Sequence, residues 1–324
     1  MTTVPQHPSE GTRRHSPSAV LARATRMLAA AGVAPARAEA ELLAAYVLVV
    51  PRGRLALADG FTDGQLARFE ALVARRSRRE PLQHLTGSAG FRHLELAVGP
   101  GVFVPRPETE LLAGWGIEQA RAVVPARSGG PRTGPLVVDL CSGSGAIALS
   151  VAQEVPAARV VAVERSPAAL GWLRRNAADR AAAGDRPIEV VEADVTDPGL
   201  LDELTGRVDV LLCNPPYVPQ EVAVPPEVAG HDPAEAVFGG ADGLAVLRPV
   251  IDRAAALLRP LGVLGVEHDD THGAAVPGLL AADGRYAAVA GHHDLVGRPR
   301  FATASRRADH PQPGGAVTWQ TGSS

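Results

Sequence analysis

The sequence contains no lysine: each of its 32 basic residues is an arginine. With 34 Gly, 28 Pro and abundant Ala, this reads as genome composition rather than function. Cysteine is nearly absent. Two residues, Cys141 and Cys213, cannot build a disulfide framework, and the cytoplasm is the default compartment. No run of about 18 apolar residues exists, which excludes a transmembrane helix and gives no reason to expect a membrane partner. The first residues, Met1 to Ser18, have no apolar stretch of the kind a signal peptide needs; they read as a loose tail. No internal repeat is visible.

What is present is 324 residues, 46% hydrophobic, enough for one large core and one small one. Charge is unevenly spread. Residues 1–107 hold 14 Arg against 8 acids, and the remainder 18 Arg against 27 acids, so +6 and −9 sum to the net −3. A basic first segment could face a nucleic acid or a nucleic-acid-bound partner, or be an ordinary solvated arginine face.

Along the chain, Ser18 is placed to cap a helix to Ala31, with Gly32 beyond it. Pro35 opens a second helix through Val49 from a favourable first position. Thr62 caps a third to about Arg79, with Leu66, Phe69, Leu72 and Val73 on one side. The alternating segment Phe91–Val98 reads as a strand of a hairpin. A stiff Pro105-Arg106-Pro107 loop leads into a helix ending near Val123, and Pro125–Pro135 reads as a surface loop. From Leu136 the pattern alternates strand and helix, as a parallel sheet with helices on both faces requires. Strands are expected near 136–141, 159–164, 188–193, 208–213, 261–267, 286–291 and 299–304, and helices near 145–154, 167–182, 243–258 and 273–282. The last two strands have no long helix between them and should form an antiparallel hairpin at one edge.

The stretch Val208–Tyr217 organises the rest. A short apolar run, the pattern of a buried parallel strand, stops at Asn214 and two prolines. Proline fixes φ and lacks an N–H, so the chain leaves the sheet in a rigid extended turn at the strand's carboxyl end, where open α/β sheets bind ligands. The Asn214 side-chain carbonyl and the Pro215 carbonyl are two acceptors that could hold both hydrogens of a planar –NH2 group, and Tyr217 offers a flat face. Such nitrogens are weak nucleophiles because their lone pair is delocalised. Positioning, without a strong base, can activate them.

A second site precedes it. Val137–Leu149 is strand, small-residue turn and helix, with Cys141, Ser142, Gly143, Ser144 and Gly145 in the turn. Glycines let a ligand approach the backbone above a helix N-terminus. The full G-x-G-x-x-G spacing is missing, and Asp139 before the turn would repel a pyrophosphate. Asp139 suits a cationic ligand better. Glu164, ending the next strand, can accept ribose hydroxyls; Asp194, ending the third, can meet an adenine edge, with Val195 packing on the ring. A cationic, adenosyl-bearing methyl donor fits all of these: S-adenosyl-L-methionine, whose methyl is the electrophile the Asn214 turn requires. No metal ligand set is expected.

These residues resemble the HemK/PrmC family, the protein-(glutamine-N5) methyltransferases. The resemblance spans about residues 18–307. It is carried by Arg79–Gly87, Val104-Pro105-Arg106-Pro107-Glu108-Thr109-Glu110, Asp139–Leu149, Asn214–Tyr217, Gly239–Leu244 and Asp294–Phe301. The Asn-Pro-Pro-Tyr turn is shared with adenine-N6 and cytosine-N4 DNA methyltransferases; the Pro-Arg-Pro-Glu-Thr-Glu and Gly-Arg-Pro-Arg segments are more specific. The resemblance implies a class I methyltransferase fold: α/β, doubly wound, with a mostly parallel seven-stranded sheet and an N-terminal helical bundle. Its expected divisions are a tail over 1–17, a substrate-docking helical domain over 18–80, a hairpin linker over 81–107, a methyltransferase domain over 108–307 and a tail over 308–324. It implies class-1 peptide-chain release factors as partners, with the glutamine of their Gly-Gly-Gln loop inserted beside Asn214. Residues 141–145, Glu164, Val195 and Asn214 would touch the cofactor. Asn214, Pro215, Pro216 and Tyr217 would hold the glutamine, and Arg106 and Glu108 would frame its entrance or stiffen the joint between domains. A monomer is expected, without sequence-specific nucleic-acid binding.

Two positions depart from the family pattern: Cys141 stands where the cofactor turn usually starts with Gly, and Glu267-His268-Asp269 replaces Glu-Ile-Gly. Two other readings compete. A nucleic-acid amine methyltransferase would need a recognition domain and a basic channel, for which only about 80 helical residues are spare and the body is acidic. A non-catalytic cofactor-binding module would keep ligand binding in an Asn214→Ala variant and have no methyl transfer to lose.

Overall fold

The computed structural model describes residues 14–123 and 134–308. The expected tails up to Arg13 and from Asp309, and the expected surface loop as far as Thr133, lie outside the described residues. Two compact units emerge. Among the described residues, one holds those up to Gly87 together with Pro225–His231; the other holds those from Ser88 to Val224 and from Asp232 to Ala308.

The first unit contains α1 (Pro17–Ala30), α2 (Ala36–Leu48), α3 (Asp63–Ser77) and the short α4 (Leu82–Thr86). Its core comes from the apolar stripes of these helices: Val20, Leu21, Ala24 and Leu28; Ala40, Leu43, Ala44 and Val47; Phe69, Leu72 and Val73. The cap of α1 is Ser16 and not Ser18, because Pro17 occupies the first helical position, where no N–H is needed. Pro35 likewise stands one place outside α2, in extended backbone, as its cap. Thr62 does cap α3, in a reciprocal box: Gln65 N–H donates to Thr62 Oγ1 at 3.3 Å and Thr62 N–H to Gln65 Oε1 at 3.0 Å. The basic residues of this unit are extensively paired. Buried Arg76 meets Glu39 and Glu227, Arg79 donates to Glu227 at 2.7 Å, and Arg75 meets Glu80. Glu227 lies on a further helix, Pro226–His231, in the same unit.

The second unit opens with the hairpin β1 (Ser88–Phe91) and β2 (Leu94–Ala97). The segment 91–98 is therefore not one strand. Arg92, at φ +52°, turns the chain after Phe91. Then come α5 (Thr109–Val123), β3 (Leu136–Leu140), α6 (Ala146–Glu154), β4 (Arg159–Glu164), α7 (Pro167–Ala182), β5 (Glu189–Glu192) and β6 (Val208–Cys213). With Pro226–His231 taken as α8, the chain continues through α9 (Ala234–Val237), α10 (Leu247–Leu257), β7 (Leu258–Glu267), α11 (Ala275–Ala282), β8 (Tyr286–His293) and β9 (Pro299–Arg306). β7 starts three residues before the expected 261, its opening residue pairing with Val208 across a register shift.

The sheet has the order β5-β4-β3-β6-β7-β9-β8. β3 to β7 run parallel; β9 and β8 are antiparallel, forming the expected edge hairpin. β3 and β6 are buried along their whole length on both faces, which is why they read as apolar runs, each broken by a single buried aspartate, Asp139 and Asp209. The chain winds outward from β3 to β5 and then returns to the other side of β3 as β6. The carboxyl ends of β3 and β6 thus flank the point where winding reverses, the position at which this architecture binds ligands. No described helix is long and apolar enough to cross a membrane.

Candidate active site

The turn after β3 is built on left-handed backbone. Cys141, Gly143 and Gly145 have φ of +59°, +56° and +89°. A β-carbon on Gly145 would meet Leu173 Cδ1 at 2.6 Å, so glycine is required by packing as well as φ. At Gly143 the same atom would enter open space, which is what a ligand cradle looks like from the protein side. The left-handed φ at Cys141 also accounts for the family's glycine there. Both cysteines are free; Cys213 ends β6 in the strand paired with β3.

Two carboxylates shape this turn. Glu164 Oε2 accepts from Gly143 N–H at 2.8 Å, while Oε1 accepts from Arg165 and Ser166 N–H at 2.9 and 2.8 Å. Asp139 is buried; Oδ2 accepts from Ala148 N–H at 3.2 Å, and Oδ1 has no partner among the described residues. Burial pushes its carboxyl up to about 7, against the lowering pull of Ser142 and the Ala148 N–H. An orphaned buried carboxylate oxygen beside a cradle is the feature a cationic ligand would satisfy. Ser144 is buried, and its carbonyl accepts from Asn176 Nδ2 at 2.9 Å. Asn176 also exchanges hydrogen bonds with Ala97 of β2 at 2.8 and 3.0 Å, so one asparagine inside α7 ties hairpin to turn. Sequence reading passed over it. The available signal was a poor helix former in mid-helix, which asks for a tertiary partner.

Asp194 stands two residues beyond β5. Oδ1 accepts from Thr196 N–H and Oγ1 at 2.8 and 2.7 Å, and Oδ2 pairs with Arg165 at 3.0 Å. Thr196 and Arg165 hold its carboxyl below the usual range against partial desolvation. Val195 is buried in the core shared with α10.

Across β3, the Asn-Pro-Pro-Tyr turn is backed by a glycine loop. A β-carbon on Gly239 would lie 2.5 Å from the Pro216 carbonyl, and one on Gly243 would lie 2.3 Å from that of Tyr217. Val218 N–H donates to Val237 O, and Gly239 N–H to Val218 O. This close backbone approach holds Pro215 and Pro216 buried and Asn214 and Tyr217 half-buried. In front, Gly116 lets α5 sit closely on β6, where a side chain would meet Leu212 Cδ1 at 2.4 Å. That approach brings Thr109, the first residue of α5, to Asn214: Asn214 Nδ2 donates to Thr109 Oγ1 at 3.2 Å. Among the described residues no hydrogen bond uses Asn214 Oδ1 or the Pro215 carbonyl. Tyr217 donates its phenol to Glu267 Oε1 at 2.9 Å. Glu267, the last residue of β7, is buried, and its carboxyl is pushed up to about 7 by burial, against hydrogen bonding from Thr109 and Tyr217 and the Arg300 charge. Desolvation and Glu267 in turn raise the Tyr217 phenol well above its ordinary value. Glu267 and Arg300 had no assigned role in the sequence reading.

Arg106 donates to Asp232 Oδ2 at 2.6 Å and lies over the Phe103 ring. Glu108 is half-buried and close enough to raise Glu267 further. His268 is buried with Nδ1 against the Asp269 carbonyl at 2.8 Å.

A family model described as PrmC N-terminal domain matches residues 19–87, and one described as Methyltransferase small domain matches residues 130–229. The release factor glutamine methyltransferase of Mycolicibacterium smegmatis is 53% identical over 285 residues, covering 88% of this chain and 96% of that one. The chain belongs to the release factor glutamine methyltransferase family. The Streptomyces coelicolor enzyme of that name is 48% identical over 291 residues, covering 89% and 97% of the two chains. A 4-amino-L-phenylalanine/4-methylamino-L-phenylalanine methyltransferase of Streptomyces pristinaespiralis is 42% identical over 270 residues, covering 82% and 87%.

Proposed function

We propose that this protein transfers a methyl group from S-adenosyl-L-methionine to the side-chain amide nitrogen of the glutamine in the Gly-Gly-Gln motif of class-1 peptide-chain release factors. One observation carries the reading: Asn214 is anchored by its Nδ2, while its Oδ1 and the Pro215 carbonyl stay unengaged at the carboxyl end of β6, beside the cradle after β3. Two acceptors with no internal partner are what a planar –NH2 needs.

The cofactor's residues fit. Asp139 Oδ1 would meet its amino group, the Gly143 cradle its amino-acid part, Glu164 its ribose and the Asp194–Val195 segment its adenine. Bound there, S-adenosylmethionine supplies an electrophilic methyl group on a sulfonium. The chain's own residues then act on the glutamine. Asn214 Oδ1 and Pro215 O accept its two amide hydrogens, which turns the nitrogen lone pair away from them and stabilises positive charge as it develops. Pro216 keeps the turn rigid, the Tyr217 ring packs on the planar amide, and Arg106 and Glu108 border the approach. An alkylated amide nitrogen is strongly acidic, so its surplus proton leaves to water without a base of high pKa.

Incubation of a release factor with the protein and labelled cofactor, followed by mass spectrometry, tests the reading. Label on the Gly-Gly-Gln peptide, absent with Asn214→Ala, is expected. The Streptomyces pristinaespiralis relative favours one second reading, a free arylamine such as 4-aminophenylalanine; label there and none on the release factor would replace the proposal. Label in DNA alone would favour a nucleic-acid amine as substrate.

A further inference from the structure

We infer that Asn176 is a positioning residue for the methyl donor: it holds the peptide joining Ser144 to Gly145 in the orientation the cofactor turn must have to bind. This deepens the reading of the cradle after β3 as the S-adenosylmethionine site and, for the affinity it implies, rests on that reading.

The sequence has two asparagines; Asn214 opens one of the two candidate turns, and Asn176 reaches the other. Asn176 is buried inside α7, where an alanine would favour the helix more. Its carboxamide bonds only to backbone. Oδ1 accepts from Ala97 N–H at 2.8 Å, and Nδ2 donates to Ala97 O at 3.0 Å and to Ser144 O at 2.9 Å. The two ends of a carboxamide have nearly the same shape, so its partners decide which way round it sits. Backbone partners have fixed polarity. An N–H faces one end and carbonyls face the other, so a single orientation satisfies them all. Towards Ala97 the side chain pairs as a neighbouring strand would, which anchors it to β2. Its remaining Nδ2 hydrogen is thereby aimed at Ser144.

The peptide between Ser144 and Gly145 is held at both polar ends. Its carbonyl takes the Asn176 hydrogen, and its N–H donates to Ser142 O at 2.8 Å. Leu173, one turn before Asn176 on the same face of α7, fills the space beside Gly145. Gly145 also caps α6, with Leu149 N–H donating to its carbonyl at 2.9 Å. Glycine tolerates either sign of φ, so Gly145 by itself does little to stop this peptide from flipping. A flip would withdraw the Gly145 N–H from Ser142 and turn the Ser144 oxygen away from α7. It would reshape the turn next to Gly143, where the cradle opens. Asn176 opposes it, because a buried Nδ2 hydrogen would lose its acceptor.

Two variants at Asn176, a control and two readouts test this. Asn176→Ala removes every one of these bonds. Asn176→Asp keeps the shape and the acceptor for Ala97 N–H but sets an oxygen against both carbonyls. Trp172→Phe is the control: Trp172 Nε1 donates to Pro100 O at 3.2 Å, so this variant loosens the neighbouring segment from the same helix without removing a bond to the turn. Calorimetric titration with S-adenosyl-L-methionine should give a Kd on the order of 10-fold higher in both Asn176 variants, because a smaller fraction of the free protein holds the competent turn. In Trp172→Phe the Kd should stay within about twofold of wild type. With a release factor as substrate and cofactor saturating, kcat of the Asn176 variants should change by no more than about twofold, since bound cofactor restores the turn and Asn214 is untouched. The second readout needs no ligand. In 15N-labelled protein the Gly145 amide should exchange about tenfold faster in the Asn176 variants than in wild type or Trp172→Phe. In wild type both Asn176 side-chain hydrogens should be slow to exchange, a measurement that stands even if neither Asn176 variant folds. An unchanged Kd in the Asn176 variants, an equal loss of affinity in Trp172→Phe, or fast exchange of either Asn176 hydrogen would overturn the inference. If wild-type protein binds no S-adenosylmethionine while Gly145 exchange responds as expected, the cofactor reading fails and the hold of Asn176 on the turn stands.

Discussion

Tyr217 donates its hydroxyl to Glu267 Oε1 at 2.9 Å, joining the last residue of the Asn-Pro-Pro-Tyr turn to the last residue of β7. The ring proposed to pack on the substrate amide is thus pinned from its far end. Tyr217→Phe keeps the ring and removes the pin, leaving a buried carboxylate with one donor fewer. Stability should fall by about 1–3 kcal/mol in urea titrations. The turnover rate should drop on the order of tenfold, less than in Asn214→Ala, since both carbonyl acceptors remain.

Asp139 makes stability depend on pH in an unusual direction. Burial pushes its carboxyl up to about 7 in the folded chain, from 3.8 for the free group. Between those values the folded protein holds a proton that the unfolded chain has released. Folded stability therefore falls as pH rises through this window and levels off above about 7. Asp139→Asn should flatten that part of the profile and be more stable than wild type at about pH 8 by on the order of a few kcal/mol. It should also lose cofactor affinity. Glu267, pushed up to about 7 for the same reason, leaves a residual slope. Denaturation midpoints across the window, with cofactor binding at each pH, check both halves; a steeper profile in Asp139→Asn would refute the assignment.

Cys141 holds a left-handed conformation, φ +59°, that costs a residue with a β-carbon about 1–2 kcal/mol. Glycine carries no such strain but loses more entropy on folding, about 0.5–1 kcal/mol. Cys141→Gly should therefore be neutral to about 1 kcal/mol more stable, with cofactor affinity retained. A clear loss of stability in thermal melts would show that the thiol's packing against the core outweighs the strain.

Asp209 lies at the far end of the sheet. It is buried, accepts from Leu136 N–H at 2.8 Å and pairs with Arg259 at 2.7 Å. Removing it leaves a buried strand N–H and a partly buried guanidinium unmatched. Asp209→Ala should cost about 3–5 kcal/mol. Activity per folded molecule should be unchanged, because the reacting groups sit at the strands' carboxyl ends. Active-site titration of the folded fraction would separate the two effects.

β3, β4 and β6 were readable because parallel strands buried on both faces carry an apolar run, with Gly, Pro or an acid close to each exit. Thr62 was readable as a cap because capping is settled within four residues. Ser18 was misplaced by two positions and Pro35 by one, where proline's lack of an N–H lets nearby assignments look equally good. The hairpin was misread at Arg92, since alternation continues through a tight turn and only φ shows the break.

The site divides along the same line. Asn214, Pro215 and the turn from Cys141 to Gly145 announce themselves because their chemistry is local: a proline-stiffened exit and glycines at positive φ are written in consecutive residues. Thr109, Asn176, Glu267 and Arg300 do not, although each stands in plain view in the sequence. What gives them roles is separation in the chain closed by packing: α5 settling on β6 through Gly116, and β7 and β9 bringing a carboxylate and a guanidinium to the phenol of Tyr217. Local backbone geometry can be inferred from neighbours a few residues away; the partner that anchors the Asn214 carboxamide stands 105 residues away in the chain and meets it only when α5 packs on the sheet.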